Sequence, residues 1–202
     1  MSGGISEAWS YRPLAVASRR ASVAVTLGRN DVEHLASLCE HAGMDRLCRP
    51  GRRAEQVLTL LASLEGVGDG GAISELDHAL QLASRAERAG ADEDVVLAGL
   101  LHDIGKVFGD AGHGAIAAAL LEPHVRPDVV QVVRHHSQFT ARHLEETPPG
   151  EPDPRDQFAE EPWFQLACRF VDEWDMKSFD PAYDSLPLGH FIPLVQRRVR
   201  EP

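Results

Sequence analysis

The sequence is poor in cysteine and has no long apolar run. Its three cysteines, Cys39, Cys48 and Cys168, are too few and too scattered for a disulfide framework. No apolar stretch approaches the roughly 20 residues that a helix needs to cross a bilayer. Arginines within residues 12–29 interrupt any apolar segment of the kind that directs secretion. We therefore expect a cytoplasmic protein that does not insert into a membrane.

Positive charge is also scarce. The chain has 20 lysines and arginines against 31 aspartates and glutamates, which gives a formal net charge of −11. General nucleic-acid binding requires a basic face that displaces counterions from the phosphates, and this composition argues against it. A few local cations would still suffice to hold a small anionic substrate. We therefore expect a small-molecule partner and no nucleic acid.

Strand-like patterns are absent from the sequence. No run alternates apolar and polar residues between turn signals, and there is no internal repeat. Helical periodicity dominates from Ala54 onward, so we predict an all-α fold. The predicted helices cover 54 to the glycine cluster at 66–71, then 74–89, 95–102, 112–121, a segment from 127, 163–179 and part of 188–199. Residues 145–157 contain four prolines and several acids, and they predict a surface loop.

The first 52 residues are the least regular part of the chain. Asn30 or Asp31 could cap a short amphipathic helix whose apolar side falls within 32–39 and which ends near Gly43. The stretch 49–53 has the composition of a linker. We therefore predict an N-terminal appendage over residues 1–52 and one domain over residues 53–202.

An adjacent histidine and aspartate, His102 and Asp103, end the apolar helix and precede Gly105. Neighbouring side chains inside a helix point about 100° apart. At a helix end, where the backbone leaves the cylinder, an imidazole and a carboxylate can converge on one cation. Other helical segments carry further potential ligands: His78, His113, the pair His135-His136, and Asp175.

Histidine together with carboxylate suits a cation such as iron, manganese or zinc. One histidine, the His102-Asp103 pair and the distant Asp175 would hold one metal. The additional histidines suggest a second metal, with Asp103 as the natural bridge. Glu75, one turn before His78, is interpreted as a surface acid.

Short motifs surround these residues. His78-Ala79-Leu80-Gln81 has the pattern His-Ala-x-Gln, and Gly90-Ala91-Asp92 precedes the apolar helix that leads into His102-Asp103-Ile104-Gly105. Arg134-His135-His136-Ser137 and Trp174-Asp175 follow further along the chain. With these motifs, residues 55–180 resemble the HD-domain metalloenzyme superfamily. The similarity is greatest to its oxygenase branch, which contains myo-inositol oxygenase and the phosphonate-cleaving diiron oxygenases.

The resemblance implies an HD-domain helical bundle with two iron ions. In that branch a diiron centre uses dioxygen to oxidise a substrate carbon that bears a hydroxyl group. The implied ligands of one iron are His78, His102, Asp103 and Asp175. The implied ligands of the other iron are His113, His136 and Asp103.

Two further residues receive roles from the same resemblance. The Arg-x-His-Ser pattern of inositol oxygenase favours His136 as the ligand, which leaves His135 for a supporting role or for general acid/base chemistry. Lys106 follows Asp103 by three residues, as in inositol oxygenase, and would contact a substrate hydroxyl or phosphate. The phosphonate enzymes have substrate-handling groups where this chain has Gly68, Gly71 and Thr140.

Three classes of function are compatible with these residues. The preferred one is a diiron oxygenase that acts on a small hydroxylated substrate such as a phosphonate or a polyol, with dioxygen as co-substrate. The alternative is a metal-dependent phosphohydrolase acting on a nucleotide or another phosphate ester. Manganese, magnesium or zinc would be the alternative metals. A non-catalytic metal- or ligand-binding HD module is the third class, and the six-residue ligand set disfavours it.

Overall fold

The computed structural model describes residues 53–67, 73–143 and 151–200. Seven α-helices lie in these ranges, which contain no strand, so the predicted all-α fold is confirmed. The helices are α1 (Arg53–Ser63), α2 (Glu75–Arg88), α3 (Glu93–Leu101), α4 (His113–Leu121), α5 (Pro127–Thr140), α6 (Phe164–Arg169) and α7 (Leu188–Arg198). In the described part of the chain, no helix combines the length and the apolarity that a membrane span requires.

Part of the sequence-based prediction falls outside these ranges. The short helix expected over 32–39, residues 49–52 of the linker expected over 49–53, and Gly68 and Gly71 are not among the described residues, whereas Arg53 is the first residue of α1. The proposed boundary at residue 52 therefore stays a prediction.

The starts of the central helices follow local capping chemistry. The Ser74 side chain accepts a hydrogen bond from the backbone N–H of Asp77 at 3.0 Å and caps α2. Asp92 accepts from the N–H groups of Asp94 and Val95 and caps α3. Pro127 occupies the first turn of α5, where its missing N–H has no partner to lose. These caps explain why the predicted starts lie within a residue or two of the observed ones.

Helix α3 is the centre of the apolar core. Every residue from Val95 to Leu101 is buried, and the helix packs closely against α2. A Cβ at Gly99 would collide with the Leu82 side chain, so the missing side chain allows the close approach of the two helices. The C-terminal end of α3 is thereby fixed in the interior, where it presents His102 and Asp103.

The segment before Lys177 differs from the single helix that periodicity predicts over 163–179. After α6 the chain forms a π-helical turn, Phe170–Trp174, and then a 3₁₀ turn, Asp175–Lys177. A π-turn holds one more residue than an α-turn and therefore shifts the face on which later residues lie. Helix α7, Leu188–Arg198, lies within the predicted 188–199 and contains Pro193 in its interior.

Candidate metal centre

Four histidines from four parts of the fold converge on one point. His78 lies in the first turn of α2, His102 follows α3, His113 opens α4, and His136 lies on α5. The Nδ1 atom of each ring lies within hydrogen-bond distance of a backbone carbonyl oxygen: Ser178 for His78 (3.0 Å), Gly99 for His102 (2.9 Å), Asp110 for His113 (2.7 Å) and Val133 for His136 (2.7 Å). Because a carbonyl only accepts, each Nδ1 carries a proton, so a neutral ring directs the lone pair of its Nε2 to the centre, whereas a protonated ring donates from Nε2.

One donor group combines His78, His102, Asp103 and Asp175. The two Nε2 atoms of His78 and His102 are 3.2 Å apart. Asp103 Oδ2 lies 3.1 Å from His102 Nε2 and 3.6 Å from His78 Nε2. Asp175 Oδ1 lies 3.2 Å from His78 Nε2 and 3.9 Å from His102 Nε2. All four side chains are buried.

The other donor group combines Asp103, His113 and His136. The Nε2 atoms of the two histidines are 3.1 Å apart. Asp103 Oδ1 lies 3.0 Å from His113 Nε2 and 3.3 Å from His136 Nε2. The two oxygens of one carboxylate therefore face two separate groups of donors, which is the arrangement of a bridging ligand.

The end of α3 explains how His102 and its neighbour reach the same centre. His102 keeps a helical backbone, with φ −58° and ψ −34°. Asp103 leaves the helix, with φ −102° and ψ 6°. This change turns the carboxylate back toward the imidazole, as the sequence predicted for a helix end.

The short link to His113 depends on glycine. Gly109 and Gly112 have φ values of +123° and +78°, in the region that side chains other than glycine rarely adopt. A Cβ on Gly105 would collide with the backbone of His113. The glycines thus let ten residues reverse direction and bring the start of α4 against the end of α3.

The chemistry of these donors fits metal cations. Facing Nε2 lone pairs at 3.1 and 3.2 Å repel each other unless a cation or a proton lies between them. One buried carboxylate oxygen, Asp175 Oδ2, has no hydrogen-bond partner, and Asp103 Oδ1 has only the Nε2 atoms of His113 and His136 beside it. Unsatisfied buried carboxylate oxygens are costly, and a metal ion would satisfy them. The groups His78–His102–Asp103 and Asp103–His113–His136 are each compact enough to hold one ion.

Electrostatics keep the carboxylates in the form that binds metal. Burial by itself would raise the pKa of Asp103, but the imidazoles of His102, His113 and His136 hold that pKa well below its usual value. Burial would likewise raise the pKa of Asp175, but the hydrogen bond with His78 and the positive charge of the nearby imidazoles lower it. Ionised carboxylates are the metal-binding species, so no deprotonation cost opposes binding at these two groups.

A cleft of about 740 Å³ opens onto both donor groups. Its wall includes Lys106, Arg134, Ser137, Thr140, Met176 and Phe179, in addition to five of the six metal-binding candidates. The buried His102 is the candidate that does not line it. The lining of the cleft combines apolar surface with a few charged and polar groups, which suits a small ligand that carries both kinds of surface.

Lys106 lies inside this cleft, as the sequence suggested. Its Nζ is 2.9 Å from Asp103 Oδ2 and 2.9 Å from Glu75 Oε2. Burial alone would lower the pKa of Lys106, but the carboxylates of Asp103 and Glu75 raise it, so the side chain stays an ammonium. Glu75 is therefore a partner of Lys106, with only 19% of its side chain exposed, and the interpretation as a surface acid is wrong. Its position one turn before His78 on the same helix face is the signal that could have identified it.

His135 is not part of the centre. Its ring stacks on Trp163, with centroids 5.4 Å apart and planes at 11°, and contacts Phe158. It lines a separate cleft with Glu161. Successive helical residues point about 100° apart, so the turn of α5 that aims His136 inward aims His135 to another face. The expected acid/base or supporting role of His135 does not agree with this placement.

The arrangement agrees with comparisons with known families. The family model of the HD domain matches residues 76–175, from two residues before His78 to Asp175. No curated protein matches the sequence. The matched segment contains every residue of both donor groups. The match, the all-α fold and the buried histidine and aspartate groups together identify residues 76–175 as an HD domain whose side chains could hold metal ions.

Proposed function

We propose that the protein is a non-haem diiron oxygenase that oxidises a small hydroxylated substrate. The observation that supports it most directly is Asp103, whose Oδ1 and Oδ2 face different pairs of histidines. A carboxylate in this position would bridge two metal ions. The proposal therefore treats the two donor groups as one dinuclear centre.

The composition of each group favours iron. Both contain two imidazole nitrogens and the Asp103 carboxylate, and Asp175 adds a second carboxylate to one of them. Two histidines and one carboxylate with open positions are typical of non-haem iron sites that use dioxygen. When bound, the iron ions would transfer electrons to dioxygen, and the substrate that is oxidised would supply those electrons in the overall reaction. Manganese, zinc or magnesium are the alternative ions.

The protein's own residues would orient the substrate. Two of the three N–H bonds of the Lys106 ammonium are directed at Asp103 and Glu75, which leaves the third for a substrate hydroxyl or anion. Arg134 lines the same cleft and would add a second positive charge. Phe179 and Met176 would form its apolar wall and reduce the access of water to the centre.

A phosphohydrolase is the second candidate, and one observation favours it. Lys106 and Arg134 place two cationic side chains in the cleft that adjoins the donor groups. Cations beside a metal site suit a phosphoryl group, and a bound metal would lower the pKa of an attacking water. The alternative substrate is a nucleotide or another phosphate ester.

The deciding experiment loads the protein with Fe(II) without oxygen and counts the iron per chain. Half-oxidation should then give an electron paramagnetic resonance signal from two coupled irons, and hydroxylated substrates should perturb it. Oxygen consumption and phosphate release are measured on the same preparation. Two irons with substrate-dependent oxygen uptake would support the oxygenase. One divalent ion, with phosphate release and no oxygen uptake, would refute it in favour of the hydrolase.

A matched pair of variants controls for non-specific iron binding. Asp103→Asn removes the bridging carboxylate and should lower the iron content to less than one per chain. Asp184→Asn makes the same chemical change at an exposed position outside the cleft and should keep two irons. Two irons without any turnover would favour the non-catalytic HD module.

A further inference from the structure

Phe179 is unusual among the apolar side chains of the protein. The large exposed apolar residues in the described ranges are Phe108, Ile116 and Phe179, and only Phe179 lines the cleft. Its ring stacks on the imidazole of His78, with centroids 4.3 Å apart and planes at 24°. Half of the side chain, 52%, stays exposed. An apolar face is thus presented to the cleft directly beside the metal-binding candidates.

The backbone on both sides of Phe179 is fixed. The Ser178 carbonyl accepts from His78 Nδ1 at 3.0 Å, and the Ser178 hydroxyl donates to the Trp174 carbonyl at 2.7 Å. On the other side, Gln81 Nε2 donates to the Asp180 carbonyl at 2.9 Å, and the Asp180 N–H donates to Gln81 Oε1 at 3.2 Å. Phe179 therefore lies between two anchored residues.

The Gln81 side chain does not line the cleft, so it can affect the cleft only through the backbone that it binds. It is buried and binds both backbone polar groups of Asp180. Gln81 lies three residues after His78 on α2, so one face of this helix holds a metal-binding candidate and the anchor of the Phe179 segment. The last residue of the His-Ala-x-Gln pattern thereby obtains a structural role.

We propose that Phe179 is a specificity-determining residue that contacts a hydrocarbon part of the substrate, and that Gln81 is its positioning residue. The inference rests on the proposed function, because it takes the cleft as the substrate site. The polar groups of the substrate would lie toward Lys106 and the metal ions. Its carbon chain would cover the exposed face of the Phe179 ring, because removing apolar surface from water is favourable.

The substrate class that follows is a small hydroxylated anion with a carbon side chain. A fully polar polyol would leave the phenyl face in water, whereas a side chain of a few carbons would bury it. Each methylene that leaves water strengthens binding about fourfold when burial is complete. A chain of four carbons that is only partly covered should therefore strengthen binding roughly tenfold or more.

The test uses two probes, glycolate and 2-hydroxyhexanoate, which share the hydroxy-acid group and differ by a four-carbon chain. Their dissociation constants are measured by calorimetry on the iron-loaded protein, and iron is counted in each sample. The wild type should prefer 2-hydroxyhexanoate about tenfold or more. Phe179→Ala should reduce this preference to about twofold, and Phe179→Leu should retain most of it, because leucine restores an apolar surface. Phe108→Ala removes an exposed ring outside the cleft, 68% exposed against 52% for Phe179, and should leave the preference unchanged.

Gln81→Glu tests the positioning role. Glutamate keeps the size of the side chain but replaces the amide donor with an oxygen that repels the Asp180 carbonyl. The preference for the longer acid should fall toward that of Phe179→Ala, with both irons retained. A merely structural role would lower the melting temperature and leave the preference intact. Ser84→Ala is the control, because Ser84 accepts from the Leu186 N–H at 2.8 Å, further along the same segment.

The outcomes separate this inference from the proposed function. If the wild type binds no iron, the oxygenase proposal fails. If it binds iron and both acids but Phe179→Ala keeps the preference, the specificity proposal is overturned and the dinuclear centre stands. Loss of iron in Phe179→Ala would also overturn it, because the ring would then serve only to hold His78. Iron loading without binding of either acid would reject the proposed substrate class.

Discussion

The adjacent residues His135 and His136 offer a direct test of the metal centre. They share residue type and helix, but only His136 has its Nε2 near Asp103, at 3.3 Å. His136→Ala should therefore remove one metal, and His135→Ala should remove none. Both variants lose an imidazole from α5. A difference in their metal content is therefore caused by the position of the lost ring and not by the loss of a ring in general.

The expected magnitude follows from linkage between binding and folding. A metal present at about 100 times its dissociation constant stabilises the native state by about 2.7 kcal/mol per site. For a chain of this size, 1 kcal/mol raises the melting temperature by about 2–4 °C. Each site should therefore contribute about 5–10 °C, and the wild type with both sites filled about twice that when the two contributions add. His136→Ala should lose about half of the metal-induced shift.

The other variant should behave differently. His135→Ala loses the stacking on Trp163, which costs about 1 kcal/mol with and without metal. Its melting temperature should fall in both states, and the difference between them should stay that of the wild type. The assay is thermal unfolding of metal-free and Fe(II)-loaded protein under argon, with iron counted after gel filtration. Two irons in His136→Ala, or one in His135→Ala, would refute the assignment.

Three further predictions concern the fold around the centre. Gly105→Ala should lower the free energy of unfolding by several kcal/mol in denaturant titrations and lose the iron bound at His113, because its Cβ collides with backbone that cannot move aside. Gly189→Ala is the control, because a Cβ there meets open space and should not destabilise the protein. Arg155→Met should cost about 1–3 kcal/mol in urea unfolding, since the buried Arg155 side chain donates to the Phe139 carbonyl at 2.6 Å, which would lose its partner, and pairs at 3.1 Å with the partly exposed Asp172. Burial raises the pKa of Asp172, but its bonds from Arg155 and a nearby histidine lower it below the unfolded value, so its stabilisation is present above that value and lost in acid. Asp172→Asn should therefore be less stable at pH 7 and lose less stability than the wild type below about pH 4.

Local signals made much of the fold predictable. Ser74, Asp92 and Pro127 locate helix starts because capping depends on residues within one turn. The six metal-binding candidates could be named because short motifs carry them. Both kinds of signal act over a few residues, and sequence alone displays them.

Other features depend on packing between distant segments. The Lys106–Glu75 pair joins residues 31 positions apart, and Gln81 meets Asp180 across 99 positions. The apolar pattern of α5 places His136, and not His135, on the face of Val132 and Val133, but it does not show that α4 packs against that face. Arg155 lies in a stretch whose composition predicts a surface loop, yet the structure buries it.

The π-helical turn over 170–174 determines the direction in which the Asp175 side chain leaves the backbone. Each residue turns an α-helix by about 100° and lengthens it by about 1.5 Å. Because a π-turn holds one more residue than an α-turn, deletion of one residue from 170–174 that restored an α-helical path would leave Asp175 facing His78. Conversion of the same five residues to an α-helical path, with none deleted, would rotate the carboxylate away from His78, although every donor remained in the sequence. Related chains that have one residue fewer here and an α-helical path would therefore keep a carboxylate at the centre.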